Sequence, residues 1–337
     1  MTSYLVRRNV GIVFVLLVFC GNVVAQTEAS LARLDRAMAR GATVADGMVG
    51  ATAIHLESGL RVSLNGDQPF PMASTYKVPI AIELLTRADA GTLRLDEMID
   101  LAPADLHPGS GMLTALLNQP GVSLSIHNLM ELMLRISDNS ATDRLLTRAG
   151  GPEAVTARMR ALGIDGIRVD RPTAVRIADR YGASLPAPET WTPEVFARAF
   201  DAQSQEARAA AAIKFDRDPK DTATPNAFAS LLARLYLGEL VSPDSTALLL
   251  DIMERCMTGV NRLKGLLPAG TVVAHKTGSN SGTANDVGII TLPESAGHVA
   301  IAVLMKSSGR PSADRDRVIA EIARAVYDYF LFRPEAD

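Results

Sequence analysis

Strand-forming segments stand at the two ends of this chain, and helix-forming segments fill the stretch between them. Near the start, "GMVGATAIHLESGLRVSLNGDQPF" reads as two strands joined at Glu57-Ser58-Gly59, a hairpin signal. Near the end, "GTVVAHKTGS", "NDVGIITLP" and "GHVAIAVLMK" are short β-branched runs bounded by Gly, Pro and Ser. In the middle, "KVPIAIELLTRADAG", "SIHNLMELMLRISD", "NSATDRLLTRAGG", "PEAVTARMRALG" and "PNAFASLLARLYLGEL" carry helical periodicity, several closing on Gly. A further helix aligns Leu31, Leu34 and Met38, and a last one aligns Ile319, Ile322, Ala323, Val326 and Phe330 on one face. This order predicts an α/β (α+β) fold: one antiparallel sheet built from both chain ends, flanked by helices, with an all-helical lobe inserted. The expected boundaries are 26–65 and 270–337 for the α/β lobe and 66–269 for the helical lobe.

One stretch resists this scheme. Residues 171–221 hold several prolines and the only tryptophan, Trp191. Within them "TPEVFARAFDAQSQEARAAAAI" reads as a helix capped by Thr192 with Pro193 in its first turn. With no strand signal over that length, the segment reads as an elaborated surface loop of the kind that often carries function.

Composition removes several classes of activity. A formal charge of −3 leaves no basic excess to neutralise phosphates, so nucleic acid is not a general partner. The histidines (His55, His107, His127, His275, His298) are scattered with no pair at metal-ligand spacing, so neither a metal nor another cofactor is expected. The first 25 residues have basic Arg7 and Arg8, an apolar run from about Val10 to Cys20, and small residues at Val23 and Ala25. They read as a secretory signal cleaved after Ala25, its apolar run too short to span a membrane, so the protein is expected outside the cytoplasm or in a periplasm. Lipid attachment at Cys20 is the weaker alternative, because bulky Phe19 fits it poorly. Cleavage leaves Cys256 as the remaining cysteine, so no intramolecular disulfide is available, and "LLLDIMERCM" marks it as a buried helical residue. The mature chain is expected to be a monomer.

The stretch "PMASTYKVPIAI" places a hydroxyl at Ser74 and a cation at Lys77, in a chain with only six lysines. On a helix, residues i and i+3 share a face, which sets the amine beside the hydroxyl. This is either a turn leading into a core helix with a solvated lysine, or a serine nucleophile with an amine to take its proton. Two further motifs decide. Ser137-Asp138-Asn139 lies between two helices, and Lys276-Thr277-Gly278 lies in the first late strand. Each alone is weak; all three in order, each in its proper context, are not chance.

With these motifs the chain resembles the class A serine β-lactamases, within the superfamily of penicillin-binding proteins. The resemblance spans about residues 30 to 332, and "GPEAVTARMRALG", "DTATP" and "LLPAGTVVAHKTGS" look closest to the extended-spectrum subgroup. It implies hydrolysis of the lactam amide in penicillins and cephalosporins through an acyl-Ser74 intermediate. Lys77 would tune the proton network, and Ser137 would relay a proton toward the lactam nitrogen. Asn139 would bind the substrate's amide side chain, and Lys276 and Thr277 its carboxylate. The backbone N–H groups of Ser74 and Ser279 would form the oxyanion hole, with Gly278 letting the ligand lie close to the strand. Asp138 would anchor its turn; Asn285-Asp286 would shape the pocket rim or simply form a hairpin turn. Ser110 would line the pocket mouth or only make a turn, and His275 would pack against the sheet.

The resemblance breaks at one position. The family deacylates with a glutamate in the loop after the second motif, two residues beyond an arginine that pairs with a distant aspartate. The clasp is kept as Arg171 and Asp221, but Thr173 stands at the glutamate position and Ile177 where an asparagine would help hold water. A threonine hydroxyl has no basic form near neutral pH. Glu189 and Glu194, with Asp179 behind them, are the candidate replacements, with Trp191 and Phe196 as a dry wall that would raise a carboxyl pKa. The alternatives to a fast hydrolase are a slowly deacylating penicillin-binding or DD-peptidase-like protein, or an esterase on the same scaffold.

Overall fold

The protein is described here by a computed structural model covering residues 31–107 and 109–332. The expected signal segment, with Cys20, lies outside the described residues.

The chain begins with a helix over residues 31–44 (α1), then β1 (Met48–His55), β2 (Arg61–Leu64) and the short β3 (Phe70–Pro71). The middle runs through α2 (Lys77–Asp89), β4 (Met98–Asp100), α3 (Leu113–Leu116), β5 (Ser123–Ser125), α4 (Ile126–Arg135), α5 (Asn139–Arg148) and α6 (Gly151–Ala161). It continues through α7 (Thr173–Tyr181), α8 (Pro193–Asp201), α9 (Gln205–Arg217), β6 (Thr222–Ala223), α10 (Pro225–Tyr236) and α11 (Pro243–Glu254). The chain closes with β7 (Val273–Asn280), β8 (Thr283–Thr291), β9 (His298–Lys306) and α12 (Ser312–Leu331).

The main sheet has strand order β2-β1-β9-β8-β7, antiparallel throughout, so the two chain ends meet where β1 pairs with β9. The alternation of side chains along β9 explains why it is central. Val299, Ile301, Val303 and Met305 join a core with α1 and α12, while Ala300, Ala302 and Leu304 join the core of the helical lobe. A strand buried on both faces must be apolar along its buried length, and β9 is apolar at each position between its end residues His298 and Lys306. On the helical side, Pro225 of α10 and the wholly buried Phe70 press so closely on β1 that a Cβ on Gly50 would lie 2.5 Å from the Phe70 ring and 2.7 Å from Pro225. Replacing such a buried Phe by Ala typically costs about 3–5 kcal/mol.

The segment read as a surface loop is three helices, α7 to α9. The expected single helix over 192–213 is two, because Ser204 caps a new start by accepting a hydrogen bond from the Ala207 N–H. Trp191 and Phe196 pack with Ala174 into a small core of their own, edge-on to His107. These aromatic contacts, absent from any local pattern, order the insertion.

Candidate active site

The nucleophile candidate sits on a strained turn. A 3-10 turn, Ala73–Tyr76, runs directly into α2, and Ala73 holds a left-handed φ of 48°. Ser137 does the same at 61°. Left-handed backbone costs a non-glycine residue on the order of 1 kcal/mol or more, and such strain gathers where side chains must be aimed. Here it aims Ser137 between two lysines. Lys77 Nζ lies 3.1 Å and Lys276 Nζ 3.0 Å from the Ser137 hydroxyl, and both lysines are wholly buried. Lys77 Nζ also donates to the Ser137 carbonyl at 2.8 Å and to Asn139 Oδ1 at 3.2 Å.

Strand β7 is pressed against the Ser74 turn. A Cβ at Gly278 would stand 2.6 Å from the Met72 carbonyl and 2.9 Å from the Ser74 N–H nitrogen. Gly278 is therefore required first by the approach of backbone to backbone, which brings the strand that carries Ser279 against the turn that carries Ser74. Asn285 fixes the same contact from β8, donating to the Pro71 and Met72 carbonyls at 2.8 and 3.0 Å while accepting from Met305 N–H. Asn285 and Asp286 are wholly buried within β8, so they form neither a pocket rim nor a hairpin turn. His275 is more than packing: its Nδ1 meets Asp286 at 2.9 Å.

A cavity of about 420 Å³ opens beside this cluster, lined by Ser74, Ser110, Ser137 and Asn139, by Thr277 and Ser279 of β7, and by α7. The Ser74 hydroxyl faces it half-buried and makes no hydrogen bond among the described residues. The direct Ser74–Lys77 contact expected from spacing is not formed, because the buried amine turns to the acceptors of residues 137 and 139. Asp138 anchors its turn, accepting from the N–H groups of Met112, Leu113 and Ala141. Ser110 lines the cavity and donates to the Ser137 carbonyl at 2.7 Å, so it is more than a turn residue.

The loop clasp is formed. Arg171 Nε meets Asp221 at 2.6 Å, and Asp221 also accepts from the N–H groups of Asp170 and Arg171. Arg171 reaches Asp179 as well, at 2.8 Å, which ties up that carboxylate. From the clasp, α7 is aimed at the cavity by Asp143 of α5, whose carboxylate accepts from Thr173 N–H at 2.7 Å and Ala174 N–H at 3.0 Å. A carboxylate there meets both the free N–H groups and the positive end of the helix.

Neither replacement glutamate reaches Ser74. Glu189 lines a different cavity, with His107 and Arg144, and Glu194 is fully exposed. Hydrogen bonding to Thr192 holds the Glu194 carboxyl below its ordinary range, the reverse of what a general base requires. Trp191 and Phe196 pack on Ala174 of α7 and edge-on to His107, and Trp191 shares the cavity of Glu189 rather than that of Ser74. Where the glutamate would stand, Thr173 bonds the buried Tyr76 hydroxyl. Beside it, Arg176 stacks over the Tyr76 ring at 4.3 Å and donates to the Ala73 carbonyl at 3.1 Å.

The electrostatics follow from burial and these cations. Burial first, then the neighbouring charges of Lys276 and Arg176, hold Lys77 well below the usual lysine range, against the opposing pull of Asp138 and Asp143. Burial, with Arg262 nearby, brings Lys276 down to about 8. The Cys256 thiol, opposed by burial but held down by His275, falls to about 6. Cys256 lies just beyond α11 rather than inside it, against Thr258, whose hydroxyl bonds Thr277. Sequence reasoning missed Arg176, Asp143, Thr258 and Arg262. None stands in a motif, and only the i, i+3, i+7 spacing of Thr173, Arg176 and Arg180 along one helix face hinted at α7.

Comparison with known proteins agrees with this geometry. Residues 33–330 match the model of the beta-lactamase enzyme family. The chain is 31% identical over 278 residues to beta-lactamase VEB-1 of Pseudomonas aeruginosa, covering 80% of this chain and 81% of that one. It is 29% identical to the extended-spectrum beta-lactamase PER-1 of the same organism, covering 80% and 78%. Among solved structures, a beta-lactamase from Chitinophaga pinensis superposes with a TM-score of 0.71 at 30% identity, covering 88% of this chain and 98% of that one. The ancestral class A beta-lactamase GNCA superposes with a TM-score of 0.71 at 31% identity, covering 88% and 99%. With the sheet, the three motifs and these likenesses in agreement, the chain belongs to the beta-lactamase enzyme family, as a serine hydrolase of the class A type.

Proposed function

We propose that this protein opens the amide of β-lactams by forming an ester on Ser74, with Lys77 as the base for both halves of the reaction. The observation that carries this reading is the pair of buried lysines meeting at the Ser137 hydroxyl beside an open cavity. A neutral Lys77 has two N–H groups for its nearest acceptors and a lone pair left to take the Ser74 proton. Rotation of the half-buried Ser74 hydroxyl toward that lone pair completes the contact when substrate binds. The proton then passes through Ser137 to the departing lactam nitrogen, leaving Lys77 neutral again. Lys276, as ammonium, and Thr277 receive the substrate carboxylate, and Asn139 its side-chain amide. The N–H groups of Ser74 and Ser279 hold the oxyanion.

Release of the ester then depends on the same amine, because no carboxylate among the described residues lines the cavity. That observation favours a second reading, a slowly deacylating penicillin-binding protein, and predicts that deacylation limits turnover. We read residues 1–25 as an export signal to the periplasm, the substrate spectrum as extended-spectrum-like, and the working unit as a monomer, since one chain supplies the whole site. No helix among the described residues is long and apolar enough to cross a membrane. Mixing the protein with a chromogenic cephalosporin while following intact mass tests the reading. A burst followed by continued colour supports the hydrolase, and a single burst with a lasting adduct supports the slow acylator. No adduct with hydrolysis of a simple ester would mark an esterase.

A further inference from the structure

The cavity beside Ser74 carries more positive charge than one substrate carboxylate requires. Among the described residues, three arginines line it, Arg176, Arg180 and Arg262, and no Asp or Glu does. Arg262 is fully engaged: its Nε meets Asp316 at 2.8 Å, its Nη1 the carbonyls of Gly278 and Asn285, and its Nη2 the Ser279 hydroxyl. The other two are not. Arg176 is 6% exposed, yet a single donation, from Nη2 to the Ala73 carbonyl, is its only side-chain hydrogen bond among the described residues. Its Nε is buried without a partner, and its nearest acid, Asp221 at 3.8 Å, already serves Arg171. Arg180 likewise makes one long contact, 3.4 Å to the Ser281 carbonyl, and its Nε is buried without a partner. Asp216 is near enough to feel the charge of Arg180, but no ion pair joins them.

We infer that the substrates suited to this site carry a second anionic group, a carboxylate on the acyl side chain, received by Arg176 and Arg180 of α7. This inference rests on the β-lactam reading above and names the substrate class for it. The two guanidinium groups stand one helical turn apart on the face that lines the cavity, the spacing at which both can meet one carboxylate. They line the cavity together with Ser74 and Thr277, the residue expected to help take the ring carboxylate, and Arg180 reaches the Ser281 carbonyl just past the end of β7. An acyl side chain that leaves the lactam beside Asn139 therefore runs toward α7. A guanidinium buried with donors unused is costly, and an incoming carboxylate offsets that cost only when it is present.

The test compares two penicillins differing in one group: benzylpenicillin and α-carboxybenzylpenicillin. Second-order acylation rate constants are read by intact mass on the full chain. The dicarboxylate is expected to acylate about tenfold faster, the scale of one charge-assisted hydrogen bond, with an advantage that shrinks as salt rises. Arg180→Gln, at a half-exposed position, should bring the ratio of the two constants toward one, and Arg176→Gln should do the same. A purely structural role for these arginines would lower both constants and leave their ratio alone. Equal constants in the unaltered protein, or a ratio unmoved by either substitution, would overturn the inference. Acylation by neither penicillin would instead remove the acyl-Ser74 reading beneath it.

Discussion

Lys77 and Lys276, both wholly buried, meet at one hydroxyl: Ser137 Oγ lies 3.1 Å from the first amine and 3.0 Å from the second. Two ammonium groups this close in a low-dielectric interior repel, so one must give up its proton more readily. Burial and the charges of Lys276 and Arg176 select Lys77. On the proposed mechanism this divides the work: a neutral amine for the serine proton, a charged one for the substrate.

The first consequence is an acid limb in the acylation rate set by Lys77, which acts only when deprotonated. Arg176 lowers the Lys77 pKa, so removing its charge must raise it and leave less neutral amine at a given pH. Arg176→Gln should therefore move the acid limb of the acylation profile to higher pH. A limb that stays in place or moves lower would mean that another group takes the serine proton.

At the other end of the profile, Lys276 must be charged to attract the substrate carboxylate, and its pKa is pushed down to about 8. Acylation should therefore fall as pH rises through about 8. Lys276→Arg, which stays protonated throughout, should acylate without that alkaline fall. Stopped-flow burst rates between pH 6.5 and 9.5, chosen as roughly the working window around these groups, check it. An alkaline limb kept by the arginine variant would assign it elsewhere.

Gly278→Ala should cost about a hundredfold in acylation, because the new Cβ meets the Met72 carbonyl at 2.6 Å and must push β7 away from the Ser74 turn. The fold should survive, since the displacement is confined to one strand end. A measured burst rate within a few-fold of the parent would show that the close approach is not what positions the oxyanion donors.

Asp221→Ala should destabilise by about 3–5 kcal/mol, the usual result of leaving a buried arginine without its carboxylate. The variant also frees two backbone N–H groups. Urea denaturation gives the change directly. A loss below about 1 kcal/mol, the scale of an exposed pair, would show that Arg171 is satisfied by Asp179 and Asp218 alone.

Much of this architecture is legible in the chain itself. The uninterrupted apolar run of β9 and the Gly-bounded β-branched runs of β7 and β8 declare buried strands, and their place at the chain end dictates the pairing with β1. The three motifs declare Ser74, Lys77, Ser137 and Lys276 because their chemistry depends on residue type at fixed local spacing. What could not be read depends on contacts between distant residues. Arg176 looks like one more polar residue of a helix until Tyr76, a hundred positions earlier, turns out to lie beneath it. The glutamates near Trp191 looked suitable by proximity in sequence, but the tertiary packing of Trp191 and Phe196 on His107 turns that segment away from Ser74. Asp143 gives no sign in sequence that it caps α7, since its partners are backbone N–H groups thirty residues on.

The most direct measurement is intact mass, followed by peptide mapping, after brief exposure of the purified chain to benzylpenicillin. The account predicts one added penicilloyl group per chain, carried on the peptide containing Ser74, decaying more slowly than it forms, and absent in Ser74→Ala. An adduct on any other residue, or colour release from a cephalosporin that persists in Ser74→Ala, would contradict it.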